Sequence, residues 1–117
     1  MTTDQQIINQ FNYQLRFISK AGFVPQHFPP EKDDFIKGIE YKDYRIWAEF
    51  PNGGMTCISI MSLLGGTWFS FPCGVKEVEP FFDYHESEKA IAWAKEVIDR
   101  AIKESEFAQS ALEESYE

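Results

Sequence analysis

Basic residues are scarce in this chain. Eleven Lys and Arg stand against nineteen Asp and Glu, giving a net charge of −8 over 117 residues. Nucleic-acid binders draw most of their affinity from Lys and Arg on phosphates, so direct nucleic-acid binding is not expected. Anionic membrane surfaces repel the chain for the same reason. No apolar run nears the ~18 residues that a spanning helix needs. The start, Met1-Thr2-Thr3-Asp4-Gln5-Gln6, has neither a positive nor an apolar region, so a signal peptide is not expected and the expected compartment is cytoplasmic.

Cysteine and histidine are equally sparse, at two each. Cys57 and Cys73 lack CxxC spacing, and with only His27 and His85 no zinc-site pattern arises. A Cys–His nucleophile pair has no support beyond the presence of both residue types. Asp83-x-His85-Glu86 could ligate a divalent cation, but acids there also complement the N-terminal end of a following helix. Asn52-Gly53-Gly54 and Gly65-Gly66 join strand to strand. A phosphate cradle needs a helix after the glycines, so neither pair makes one. No metal, no cofactor and no catalytic residue is expected.

What the chain does have is apolar surface: 44% hydrophobic and 16% aromatic residues. That is enough for one folded domain spanning residues 1–117, and it excludes disorder. Residues 3–21 predict an amphipathic helix. Thr3 and Gln6 form a capping box, Ile8, Phe11, Leu15 and Ile18 make the stripe, and Gly22 stops it. Pro25, Pro29 and Pro30 mark an extended connection over 23–34, pinned by Phe23 and Phe28. A long helix is expected over about 87–112 on the stripe Ala90, Ile91, Ala94, Val97, Ile98, Ala101 and Ile102. Glu96–Arg100 and Asp99–Lys103 are its expected i,i+4 ion pairs, and the acidic stretch 104–117 is expected to fray.

Between the helices, turn signals at Lys42-Asp43, Asn52-Gly53 and Gly65-Gly66 predict a four-stranded antiparallel meander over about 35–73. Its strands are about 35–41, 44–50, 55–63 and 67–73, and the fold class is α+β. Counting outward from the turns puts Ala48 opposite Cys57, Ile46 opposite Ser59, Leu63 opposite Trp68, Met61 opposite Ser70 and Glu40 opposite Arg45. One face then carries Tyr41, Tyr44, Ile46, Met61, Leu63 and Trp68. The other carries Gly38, Trp47, Ile58, Ile60, Phe69 and Phe71, too apolar to stand bare and therefore in need of a cover. Cys57 and Cys73 fall on opposite faces, so they are not expected to be bonded to each other.

Residues 77–88 hold Glu77, Glu79, Asp83, Glu86 and Glu88 with no base before Lys89, and Phe81, Phe82 and Tyr84 sit among them. Read as structure, this is a solvated loop whose aromatics fold inward. Read as function, it is an acidic–aromatic surface, since aromatic anchors with charged rims are the usual energetic recipe of an interface. The functional expectation is a non-catalytic, acidic protein-binding module. Its partner would be a basic, nucleic-acid-handling protein that it inhibits, as a phage anti-defence protein such as an anti-CRISPR, or an immunity-type protein, does. Trp47, Glu77, Glu79, Phe81, Phe82 and Asp83 are the expected partner-binding residues. The alternatives are a small-molecule site lined by Trp47, Trp68, Phe69 and Phe71, and a secretion or assembly chaperone that forms a homodimer through the meander.

Overall fold

The computed structural model describes residues 3–26, 38–49, 57–83 and 85–115. Helix α1, Asp4–Lys20, opens on the expected capping box. The Thr3 hydroxyl accepts from the Gln6 amide at 3.2 Å, and Gln6 Oε1 accepts from the Thr3 amide at 2.8 Å. It stops where Gly22 takes φ +101°, a left-handed conformation that glycine adopts without a Cβ penalty.

Among the described residues the sheet has five strands, not four, in the order β1 Val24–Gln26, β5 Trp68–Pro72, β4 Cys57–Ser62, β3 Tyr44–Glu49 and β2 Ile39–Tyr41, all antiparallel. The added strand lies in the stretch expected to be a mere connection. Pro25 pairs with Phe69 at the edge of the sheet, where a residue without an amide proton is tolerated. Phe28, expected to pin this segment, is outside the described residues.

The Lys42-Asp43 turn forms as expected. Both residues have positive φ, 47° and 67°, and Glu40 stands opposite Arg45. The other two registers differ from expectation. Ala48 faces Ile58, and Ile46 faces Ile60, a shift of one residue. Residues 50–56, an odd number, separate the paired Glu49 and Cys57, whereas a two-residue turn requires an even number. The Asn52-Gly53 turn itself lies outside the described residues. At the next turn Met61 faces Trp68, a shift of two, because Leu63, Leu64, Gly65 and Gly66 together form the loop. The buried Ser62 organises that loop: its hydroxyl accepts the Leu64 and Gly65 amides at 3.1 and 3.2 Å.

A one-residue slip moves every side chain of a strand to the other face. Tyr44, Ile46, Ile58, Ile60, Phe69 and Phe71 therefore share one face, and together with Ile18, Phe23 and the helical stripe of Ala90, Ala94, Val97, Ile98 and Ala101 they form the core. Ile58, Ile60, Phe69 and Phe71 thus share a covered face, as expected, but Tyr44 and Ile46 lie with them and Trp47 does not, so the sheet has one strongly apolar face and not two. The opposite face carries Arg45, Trp47, Cys57, Ser59, Met61, Trp68 and Ser70, and the Trp47 and Trp68 rings stack there at 5.9 Å. Gly38 lies beside Trp47 as expected, for a Cβ on it would stand 3.2 Å from that of Trp47 and 2.8 Å from the Ile46 carbonyl.

Helix α2, Ser87–Ser115, extends three residues past the expected end at about 112. Ala90, Ala94, Val97, Ile98 and Ala101 are buried, as the stripe requires. The two expected i,i+4 pairs do not form. Asp99 reaches across to the β2–β3 turn instead, accepting from Lys42 Nζ at 2.6 Å and from the Tyr41 hydroxyl at 2.8 Å. Arg100 lines a groove against the end of α1. Trp93 forms the centre of an aromatic cluster, its ring 5.0 Å from Phe23, 4.5 Å from Phe71 and 5.6 Å from Phe82. Among the described residues, no helix is long and apolar enough to cross a membrane.

Candidate partner-binding surface

The segment between β5 and α2 is built from its two ends inward. Cys73 is buried at the end of β5, and Gly74 turns the chain with φ +79°. The Gly74 amide donates to the Phe82 carbonyl at 2.6 Å, which closes 74–82 into a loop. Within it the Val78 amide donates to the Val75 carbonyl at 3.0 Å, making a turn. Val78 and Phe82 pack on the core, and Phe82 leans on Trp93. Its neighbour Phe81 does not share that burial. Phe81 is 42% exposed.

Glu77 and Glu79 are exposed on the same loop. Asp83 is half-buried and serves the entry to α2. Its amide donates to Glu86 Oε1 at 3.1 Å, and its carbonyl accepts from the Glu86 amide at 3.0 Å. The second Glu86 oxygen meets Lys89 Nζ at 2.9 Å. That contact first, and the Asp83 amide second, hold the Glu86 carboxyl below the usual carboxylate range.

Of the six residues expected to contact a partner, the structure brings five into one loop: Glu77, Glu79, Phe81, Phe82 and Asp83. Three of these are exposed, and Phe82 is an internal anchor. Trp47 is not with them. It lies in β3 and is 1% exposed, so as placed it offers no ring to a partner. The four aromatics proposed for a ligand pocket are also divided. Phe69 and Phe71 face the helices and are buried, while Trp47 and Trp68 face the other way.

Sequence reasoning missed Phe107, which stands 78% exposed on α2 between exposed Glu106 and the rest of the acidic end. Its break from the apolar stripe was the available signal, since Ser105 and Ala101 lie on the buried side. Burial pushes the Cys73 thiol up to about 11, which favours the protonated form at neutral pH. Among the described residues no disulfide joins Cys57 and Cys73, and no three His, Cys, Asp or Glu side chains gather as a metal-binding group. Compared with protein-family models, curated proteins and solved structures, the chain matches none.

Proposed function

We propose that the protein is a non-catalytic binding module that docks its acidic, aromatic 77–83 loop on a basic surface of another protein. The observation that carries this reading is Phe81. A large ring stands 42% exposed on a loop whose neighbouring ring is fixed in the core, with exposed Glu77 and Glu79 beside it. An aromatic held outward on a fixed backbone loses little side-chain freedom on binding, so more of its burial appears as affinity. The net charge of −8 adds long-range attraction to a cationic partner.

Nucleic-acid-handling proteins carry basic faces, so they are the partner class with the right charge. A module seated on such a face competes with the phosphate backbone and inhibits, which is the work of an anti-defence or immunity-type protein. We place it in the cytoplasm, the compartment that suits a chain whose two cysteines form no disulfide.

The test is binding to a basic partner over a salt series. The expected result is affinity that falls steeply as salt rises and is lost in Phe81→Ala. Binding that ignores both salt and Phe81 contradicts the proposal.

A further inference from the structure

A second surface has the opposite charge character. The last turn of α1 and the middle of α2 enclose a groove of about 300 Å³. Phe17, Ala21, Val97 and Ala101 form its apolar floor, with Val97 and Ala101 buried. Lys20 and Arg100 stand on its rim, with Glu104 as the single acid. In a chain with eight more acids than bases, this is a local excess of positive charge.

Among the described residues neither Lys20 nor Arg100 forms an ion pair, although Glu96 lies one helical turn before Arg100. Both residues are exposed and both line the groove. An apolar floor with cationic groups at one side selects a ligand by two features together: an apolar body and an anionic head.

We propose that this groove binds a small organic carboxylate with an apolar body, its head held by Lys20 and Arg100 and its chain laid on Phe17 and Val97. The volume sets the size. At about 300 Å³ it stands at the small end of ligand pockets, so it suits a small ligand with a single chain. A medium-chain carboxylate such as octanoate matches in size and chemistry. Glu104 opposes a dianion, so a single negative charge fits best. This site does not depend on the 77–83 loop, and its failure leaves that reading untouched.

The experiment is a titration of the full chain with octanoate, followed by the amide NMR signals of Ala21, Val97 and Ala101, with 1-octanol as the uncharged control. Saturable, millimolar binding of octanoate with shifts confined to the groove is expected, with octanol at least about five-fold weaker. Lys20→Gln and Arg100→Gln each weaken octanoate by about five-fold, and Glu104→Gln tightens it by a few-fold. All three positions are exposed, so the variants fold, and an unchanged amide spectrum outside the groove checks this. Equal binding of octanol overturns the role of the cations. No saturable shift at the groove, or shifts spread over the whole surface, overturns the site.

Discussion

The two ends of the Phe81–Phe82 pair belong to different worlds. Phe82 joins Phe23, Phe71 and Trp93 in the aromatic cluster where the sheet, the extended segment after α1 and helix α2 meet. Phe81, one residue earlier, stands in water among carboxylates. The same side-chain chemistry contributes stability in one place and exposed apolar area in the other. What separates them is backbone geometry, set by the Gly74–Phe82 hydrogen bond and by the packing of Val78. An outward ring is useful to an interface only if something inside holds it there, so the inner cluster and the outer loop are two halves of one arrangement.

The comparison breaks most visibly from the inside. Phe71 is fully buried and touches both Phe23 and Trp93, so Phe71→Ala should cost about 3–5 kcal/mol in urea unfolding. A loss under about 1 kcal/mol would mean that the cluster is not the centre of stability. Gly38→Ala comes next, at about 1–3 kcal/mol, because its Cβ would stand 2.8 Å from the Ile46 carbonyl and 2.9 Å from Arg45 Cγ. Unchanged stability there would contradict the close approach of backbone at Gly38.

Smaller still is the contribution of the Asp99 clip between α2 and the β2–β3 turn. Lys42, first, and Tyr41 hold the Asp99 carboxyl below its ordinary 3.8. A lowered folded-state value gives stability that is complete above the unfolded value and lost as pH falls through the folded one. On the alkaline side the Asp99 contact raises Lys42 above 10.5 and Tyr41 above 10.0, so their share is present below those values and lost as pH rises through the raised ones. Both partners of the ion pair are about half-exposed, and Asp99→Asn should therefore cost no more than about 1 kcal/mol at neutral pH. It should also flatten both limbs of the stability–pH curve measured by denaturant unfolding. Limbs identical to those of the parent would show that the clip does not form in solution. Smallest of all is Phe81→Ala, which should change stability by less than about 0.5 kcal/mol by the same unfolding measurement. A loss comparable with that of Phe71→Ala would make Phe81 a core residue and remove the contrast between the neighbours.

The helices were legible from the chain because their signals are local. Thr3 and Gln6 cap α1 within one turn, Gly22 ends it, and the Ala90–Ile102 stripe reports a burial that depends on one period. The sheet was legible in outline but not in register. Lys42-Asp43 gave the correct pairing because the turn is two residues long, while an odd number of residues joins β3 to β4 and so exchanged Ile58 and Ile60 with Cys57 and Ser59. β1 was hidden by Pro25, whose missing amide argues against a strand unless the strand is at an edge. The candidate surface follows the same division. The acids at Glu77 and Glu79 are exposed as charge alone suggests. Which of two neighbouring phenylalanines faces out, and that Trp47 is buried, are set by tertiary contacts that periodicity does not encode. Asp99 and Arg100 show this for charge: each leaves its i,i+4 partner, one for the hairpin turn and one for the groove at the end of α1.

The most direct test of the docking claim compares partner capture by the parent chain, by Phe81→Ala and by the pair Glu77→Gln with Glu79→Gln, against a basic nucleic-acid-handling protein across rising salt. The account predicts retention by the parent at low salt, release as salt rises, a shallower salt slope for the double glutamine variant, and loss of capture by Phe81→Ala with its fold intact. Capture that is indifferent to all three changes would contradict it.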